Sequence, residues 1–221
     1  MKISLATLDM AGTTVADDGL VERAFTEAIA AVGVSTSDDR FPVMLDHVRR
    51  TMGQSKIVVF RAILSEAEAR QANSAFEAAY SRLVGAGLCE PIPGAEQAIK
   101  SLQAAGIQVA LTTGFSRPTQ DAILAALGWQ SLPDIALTPS DAGRGRPYPD
   151  MILTAALRLG ISDVRSIAAV GDTPSDILSG LRSGASVSAG VLTGATTRAE
   201  FEEAGATHIL DSVRDLPDLL S

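Results

Sequence analysis

Cysteine is nearly absent from this chain of 221 residues, in which Cys89 is the single example. One thiol can form neither an intramolecular disulfide nor a cluster of thiolate metal ligands. Aromatic residues are also scarce, at 4% of the sequence, so we expect a hydrophobic core made mainly of Ala, Leu, Val and Ile. The composition is otherwise typical of a globular protein, and the length suits one domain or one domain with a smaller insertion.

Long apolar runs are absent as well. Residues 1–9 reach a charged side chain after too short an apolar stretch for a signal peptide. No later segment approaches the ~20 apolar residues of a membrane-spanning helix. We therefore expect a cytoplasmic protein that has no membrane partner.

The chain carries a formal net charge of −8 but has no block of consecutive like charges. This pattern argues against a general affinity for nucleic acid or for an anionic membrane. An acidic protein can still act on a phosphate-bearing small molecule if a metal ion and a few cationic side chains reverse the charge locally.

Short apolar runs that stop abruptly at polar or small residues are the main feature that is present. They lie at residues 3–8, 107–112, 134–138, 166–170, 186–192 and 207–210. Runs of this length without strict alternation are typical of strands that are buried on both faces. Segments with helical spacing lie between them, at residues 94–104, 117–127 and 174–183. The alternation from about residue 90 onward predicts a doubly wound α/β domain with a parallel sheet.

Residues 20–85 interrupt this alternation, because they have helical patterns and no convincing strand. The segment ends before Pro91-Ile92-Pro93-Gly94, which is typical of a loop that returns the chain to the sheet. We expect an all-helical cap that is inserted after the first strand and covers its end. The predicted boundaries are 1–18 and 88–221 for the α/β core and 19–87 for the cap.

Polar side chains stand at the ends of three predicted strands: Asp9, Thr113 and Asp172. Ligands of open α/β sheets bind beyond the carboxyl ends of the strands. These three residues are far apart in the sequence, yet we expect them to meet at one edge of one sheet.

Asp9 is followed by Met-Ala-Gly-Thr-Thr. A carboxylate at a strand end can attack a phosphoryl group while the backbone amides of a following Gly-rich turn hold the phosphoryl oxygens. The alternative is a purely structural carboxylate that satisfies the amides of the turn.

Two carboxylates four residues apart, Asp172 and Asp176, follow the predicted strand 166–170. Together with Asp9 they would form an oxygen-ligand site that suits Mg²⁺. Alternatively, Asp172 is the N-cap of the following helix, and Asp176 is a first-turn charge favoured by the helix dipole. Arg146 precedes another helix and could stabilise phosphoryl charge, or it could belong to an exposed basic loop.

The order of these motifs resembles that of the haloacid dehalogenase-like superfamily, over nearly the whole chain and with the helical insertion as a cap. The resemblance implies a Rossmann-like core and a hydrolase that forms an aspartyl-phosphate at Asp9. It also implies that Thr113 and Arg146 hold the phosphoryl group. The implied Mg²⁺ ligands are Asp9, the carbonyl of Ala11, Asp172 and Asp176.

Ala11 departs from the commonest pattern of that superfamily, whose phosphatases usually carry a second Asp at this position as the general acid and base. Alanine transfers no proton, so a poor alcohol leaving group loses an aid worth roughly 10²–10⁴-fold. The phosphonatase-like subfamily, which hydrolyses phosphonoacetaldehyde, has the same replacement. The chain resembles it at residues 9–15, 112–117, 145–149 and in a cap segment at 52–57.

The phosphonatase resemblance implies that Lys56 forms a Schiff base with the aldehyde. An iminium would turn a very poor carbon leaving group into a stabilised enamine. The residue-level alternative is an ordinary surface lysine on a helix. The substrate-binding residues predicted on the same basis are Ala11, Gly12, Met52, Gly53, Gly114 and Phe115.

Three positions differ from that subfamily. Val59 replaces a histidine, Phe115 replaces a tyrosine, and Gly19 stands where a small thiol residue is usual. The sequence therefore keeps open a phosphate monoester hydrolase of the phosphoglycolate or sugar-phosphate type, with Lys56 binding a substrate phosphate or carboxylate. A receiver-type phospho-accepting domain is disfavoured, because its Asp follows the third strand. The superfamily resemblance also suggests a homodimer formed through cap helices.

Overall fold

The computed structural model describes residues 2–221, which form a six-stranded parallel sheet with helices on both faces. The strands are β1 (Leu5–Asp9), β2 (Gln108–Thr112), β3 (Ile135–Leu137), β4 (Ile167–Gly171), β5 (Val187–Val191) and β6 (His208–Leu210). Their order is β3-β2-β1-β4-β5-β6. The chain thus winds outward in both directions from β1, and the prediction of a doubly wound α/β fold is confirmed.

The central strand β1 is buried along its whole length, as its apolar sequence predicts. Asp9 is in register with Thr112 of β2, and Leu8 with Val170 of β4. The carboxyl ends of these three strands are therefore level, and the residues that follow them lie at one edge of the sheet.

Eleven α-helices are present in the described residues. Those in the cap are α1 (Leu20–Ala31), α2 (Phe41–Arg50), α3 (Lys56–Arg61) and α4 (Glu66–Gly85). Those of the core are α5 (Ala95–Ala104), α6 (Arg117–Leu127), α7 (Pro139–Ala142), α8 (Asp150–Arg158), α9 (Pro174–Ser183), α10 (Arg198–Ala204) and α11 (Leu216–Leu219). Within residues 2–221, none of these helices is both long enough and apolar enough to cross a membrane.

The cap is entirely helical and is inserted between β1 and α5, as predicted. The two connecting segments lie side by side, since the Ala16 amide donates to the Glu90 carbonyl at 2.9 Å and the Ile92 amide donates to the Thr14 carbonyl at 2.9 Å. These two bonds join the two connecting segments to each other next to the end of β1.

The few aromatic side chains are concentrated where the cap meets the core. Consecutive ring centroids lie 5.9 Å apart for Phe25–Phe60, 6.1 Å for Phe60–Phe76 and 6.2 Å for Phe76–Phe115. Tyr80 packs on Phe115 at 4.5 Å. The expectation of an aliphatic core holds for the sheet, whereas the cap is held by packed rings, some stacked and one pair edge to face, whose large apolar area compensates for their small number.

Candidate active site

A cavity of about 360 Å³ lies between the cap and the carboxyl ends of β1, β2 and β4. Its lining includes every predicted site residue except Asp176: Asp9, Ala11, Gly12, Met52, Gly53, Lys56, Thr113, Gly114, Phe115, Arg146 and Asp172. Asp176 is buried directly beside it and pairs with Arg146. The expectation that Asp9, Thr113 and Asp172 meet at one edge of the sheet agrees with their positions around this cavity.

Three buried carboxylates meet at the floor of the cavity. Asp9, Asp172 and Asp176 each offer a carboxylate oxygen, and these oxygens lie within 4.8 Å of one another. Burial and the neighbouring carboxylates of Asp9 and Asp176 raise the pKa of Asp172 well above its usual value. Burial also raises the pKa of Asp176 to about 6, against the lowering effect of Arg146. Buried like charges of this kind favour a bound cation, so the cluster is suited to hold a metal ion.

At the start of helix α9, the alternative in which Asp172 is the N-cap residue is wrong, whereas Asp176 does lie in the first turn of the helix. Thr173, and not Asp172, is the N-cap residue, and Asp176 completes a capping box by accepting a hydrogen bond from the Thr173 amide at 3.1 Å. Asp172 is consequently free of the helix end. Its carboxylate instead accepts a hydrogen bond from the Thr13 hydroxyl at 3.2 Å.

Two glycines make room for the Asp172 carboxylate. A Cβ atom added to Gly12 or to Gly194 would lie 2.2 Å from Oδ2 of Asp172, which is too close for any side chain. Thr193, next to Gly194, donates a hydrogen bond to the Gly12 carbonyl at 2.6 Å. Residues 193–196 line the cavity and were not predicted from the sequence. They follow the carboxyl end of β5, so the same strand-end rule could have found them.

Arg146 lies inside the site and is only 5% exposed, so the alternative of an exposed basic loop is wrong. Its Nη2 atom is 2.6 Å from Oδ1 of Asp9, and its Nη1 atom contacts Asp176. Burial alone would lower the pKa of Arg146, but the carboxylates of Asp176 and Asp9 outweigh this effect and raise it. The guanidinium is therefore a permanent cation beside the carboxylate of Asp9.

Lys56 begins helix α3, and only 8% of its surface is exposed, so the alternative of a surface lysine is also wrong. Its backbone amide donates to the Gly114 carbonyl of the core at 3.4 Å. Its Nζ atom lies 5.4 Å from the ring centroid of Phe115 and 5.9 Å from that of Phe76. Burial lowers the pKa of the amine to about 8, although Asp17 and Asp9 act in the opposite direction.

The cap segment that precedes Lys56 lies directly on the core. A Cβ atom added to Gly114 would be 2.4 Å from the Gln54 carbonyl oxygen, and one added to Gly53 would be 2.7 Å from the Thr173 hydroxyl. Glycine at both positions is thus required for this close approach. The contact brings Lys56 over the strand ends.

Two further polar side chains near the cavity were not predicted. Asp17 lines the cavity and is partly buried. The hydroxyl of Tyr80 is buried and has no hydrogen-bond partner among residues 2–221. Neither residue belongs to a recognised motif, and only their positions in space connect them with the site.

No histidine side chain in residues 2–221 lines the cavity. Val59, which stands at the position of a subfamily histidine, is buried in the hydrophobic core. His47 and His208 are also absent from the cavity lining. Proton transfer at this site therefore has to involve groups other than imidazole.

The doubly wound parallel sheet, the helical insertion over its strand ends and the buried acidic cluster beneath that insertion place the chain in the class of capped α/β proteins. A family model for haloacid dehalogenase-like hydrolases matches residues 3–184. The chain belongs to this family, and the prediction that it is an enzyme is confirmed.

Proteins similar to this chain include members of the predicted subfamily. The phosphonoacetaldehyde hydrolase of Bacillus cereus is 33% identical over 197 residues, which cover 83% of this chain and 74% of that protein. The crystal structure of a phosphonoacetaldehyde hydrolase-like protein from Oleispira antarctica aligns over 100% of this chain and 92% of that one, with 25% identity and a TM-score of 0.84. A hydrolase from Pseudomonas syringae shares the fold, with 23% identity, a TM-score of 0.86 and coverage of 100% and 98%.

Proposed function

We propose that this hydrolase cleaves the P–C bond of a short phosphono-aldehyde such as phosphonoacetaldehyde. In this proposal Asp9 accepts the phosphoryl group and Lys56 forms a Schiff base with the aldehyde. The observation that carries the proposal is the buried amine of Lys56, which lines the same cavity as Asp9. An exposed lysine has a pKa of about 10.4 and is almost fully protonated at neutral pH, whereas a pKa of about 8 leaves a useful fraction of free amine.

The reaction balances with water as the only co-reactant. The Lys56 amine adds to the aldehyde carbon, water leaves, and an iminium forms. When the P–C bond breaks, its electron pair moves into the iminium to give an enamine, while the phosphoryl group is transferred to a carboxylate oxygen of Asp9. Water hydrolyses the acyl phosphate to release phosphate. Protonation of the enamine and hydrolysis of the iminium release acetaldehyde and restore the amine.

Ala11 is consistent with this chemistry. The enamine takes up the electron pair of the broken bond, so no acid is needed to protonate an alkoxide leaving group. A monoester phosphatase would lose roughly 10²–10⁴-fold in rate without such an acid. Ala11 and the buried Lys56 therefore both favour P–C cleavage over hydrolysis of phosphate monoesters.

The phosphoryl oxygens would be held by Arg146, Thr113 and the amides of the turn after β1. Thr113 accepts a hydrogen bond from the Phe115 amide at 3.2 Å, which leaves its own hydroxyl proton free for donation. Donors fixed in a buried site stabilise developing charge without reorganising during the reaction. Gly12 permits a close approach of the backbone on the same side.

The same proposal includes Mg²⁺ at the acidic cluster, held by Asp9, Asp172 and the carbonyl of Ala11, with Asp176 assisting. A bound Mg²⁺ would neutralise charge on the carboxylates and on the phosphoryl oxygens. We further propose that residues 19–87 move as a cap on the core formed by 1–18 and 88–221, so that the site can admit substrate and then exclude water.

Metal binding can be tested through stability with the Asp172→Asn variant. Without metal, the variant should unfold at a higher temperature than the wild type, because it lacks one of three mutually repelling carboxylates. Mg²⁺ at 100 times its Kd should stabilise the wild type by about 2.7 kcal/mol, and the variant much less. Thermal unfolding in EDTA and in Mg²⁺ measures both effects, with Asp39→Asn, an exposed acid, as the control. Equal Mg²⁺ stabilisation of Asp172→Asn and the wild type would contradict the assignment.

The substrate is tested by incubating the wild-type enzyme and Mg²⁺ with phosphonoacetaldehyde, phosphoglycolate, glucose 6-phosphate or p-nitrophenyl phosphate. We expect phosphate and acetaldehyde to appear in equal amounts from phosphonoacetaldehyde. Hydrolysis of the two biological monoesters should be slower by at least about 10²-fold, because Ala11 supplies no acid. Rapid hydrolysis of phosphoglycolate without cleavage of phosphonoacetaldehyde would replace this proposal with a monoester phosphatase.

A further inference from the structure

Asp17 lies in the segment between β1 and α1 and lines the same cavity as Lys56. Its Oδ1 atom accepts a hydrogen bond from the Val21 amide at 3.1 Å, in the first turn of α1. This bond fixes the carboxylate at the base of the cap. No cationic side chain in residues 2–221 lies within 4.0 Å of Asp17, so Asp17 forms no ion pair with any of them.

The amine of Lys56 also lacks an ion-pair partner. No carboxylate oxygen in the described part of the chain lies within 4.0 Å of Nζ, and the nearest aromatic neighbours are the rings of Phe115 and Phe76. Among the charged groups that act on the amine, Asp17 has the largest effect, followed by Asp9, Arg146 and Asp172. Asp9 is already paired with Arg146, and Asp172 belongs to the acidic cluster. Asp17 is therefore the carboxylate that is available to Lys56.

Burial brings the pKa values of Lys56 and Asp17 closer together. It lowers the pKa of Lys56 to about 8 and raises the pKa of Asp17 above its usual value. A proton moves between two groups at a smaller cost when their pKa values are closer. Among the residues that the structure describes, no histidine lines the cavity, so no imidazole competes for this role.

We propose that Asp17 positions the amine of Lys56 and accepts its proton when the amine attacks a carbonyl substrate. The proposal rests on the Schiff base of the proposed function. A proton passes from the Lys56 ammonium to Asp17, and the neutral amine then forms a C–N bond with the aldehyde carbon. The resulting carbinolamine loses its hydroxyl, which takes the proton back from Asp17 and leaves as water. The products are the iminium and the Asp17 carboxylate.

A purely structural role for Asp17 makes a different prediction. As a cap of α1, Asp17 needs only an oxygen that accepts the hydrogen bond from Val21. Asparagine supplies that oxygen but cannot accept a proton. A purely electrostatic role is also distinguishable, because loss of the carboxylate would lower the pKa of Lys56 and increase the fraction of free amine at neutral pH. Asp17→Asn would then react at the same rate or faster.

The experiment is reductive trapping of the full-length protein with acetaldehyde, the proposed product, and cyanoborohydride. Schiff base formation at Lys56 is converted into a stable ethyl group, which is quantified by peptide mass spectrometry. The chain has three lysines, so Lys2 and Lys100 serve as internal references. At pH 7, where Lys56 is mostly protonated and has a proton to pass on, we expect Asp17→Asn to label Lys56 about 10²-fold more slowly than the wild type. Asp39→Asn, a change at an exposed acid that does not line the cavity, should label at the wild-type rate.

The pH profile and a second variant separate the possible outcomes. Labelling of Asp17→Asn at pH 7 at the wild-type rate or faster, with a profile shifted only to lower pH, would overturn the proposal. Asp17→Glu keeps a carboxylate and should recover a large part of the rate; if it labels as slowly as Asp17→Asn although thermal unfolding shows a folded protein, the proposal also fails. Absence of labelling at Lys56 in the wild type would show that Lys56 forms no Schiff base with the aldehyde. The proposed function and the role of Asp17 would then both be wrong.

Discussion

The Lys56→Arg variant should release no phosphate from phosphonoacetaldehyde above background. Arginine keeps the positive charge in the cavity, but a guanidinium is permanently protonated and cannot form a Schiff base. Without the iminium, the carbon leaving group carries away an unstabilised electron pair. Removal of one member of a set of catalytic groups that act as a unit costs on the order of 10⁴–10⁶ in rate, and we expect a loss of this size. Coupled detection of phosphate and acetaldehyde measures it.

The control for this substitution is Lys100→Arg, the same chemical change at an exposed lysine that pairs with Glu96. It should leave the rate unchanged. A Lys56→Arg variant that still cleaves phosphonoacetaldehyde at a tenth of the wild-type rate or more would contradict a Schiff base at Lys56. In the alternative function, where Lys56 only binds an anionic substrate group, arginine would preserve much of the activity toward monoesters.

The pH dependence provides a second readout of the same residue. The reactive form of Lys56 is the neutral amine, and its pKa is about 8. Activity should therefore rise as the pH increases through this value and then level off. An activity that is constant between pH 6 and pH 9 would show that deprotonation of Lys56 does not limit the reaction.

The Asp9→Asn variant should abolish turnover of every phosphorus substrate, including p-nitrophenyl phosphate. Asn presents a neutral amide in place of the carboxylate that receives the phosphoryl group, and loss of a nucleophile costs on the order of 10⁶-fold. This loss should be independent of the leaving group, whereas the effect of Lys56→Arg is confined to the aldehyde substrate. The comparison of the two variants across two substrates thus separates the two roles.

Asp9→Asn should nevertheless remain folded. Asp9 is one of three buried carboxylates around Arg146, and its removal leaves the pair between Arg146 and Asp176 in place. Repulsion among the acids also decreases, because Asp9 raises the pKa values of both Asp172 and Asp176. We expect a thermal unfolding temperature in EDTA at or above that of the wild type.

Acid quenching and intact mass spectrometry should show a phosphoryl adduct in the wild type and none in the variant. A variant with measurable turnover would exclude Asp9 as the acceptor.

The fold and the meeting of the site residues follow from the sequence, because both depend on local patterns. Apolar runs that stop at Asp9 and Gly171 predict buried parallel strands, and the carboxyl ends of parallel strands lie at one edge. The replacement of an acid by Ala11 can likewise be read directly from the sequence. The subfamily resemblance follows from the same motifs and agrees with the relationship to phosphonoacetaldehyde hydrolases.

Burial was decided by the tertiary structure alone. The sequence patterns around Arg146 and Lys56 are as compatible with an exposed loop and a surface helix as with a buried site. In the structure both side chains are enclosed, because the cap segment packs on Gly114. Enclosure is what lowers the pKa of Lys56 to about 8, since an amine removed from water favours its neutral form. A one-dimensional pattern shows the type and spacing of residues, but it does not show which charges share a dry cavity. For the same reason the sequence does not indicate Asp17 as a partner of Lys56, because only the packing of the cap on the core brings both residues to one cavity.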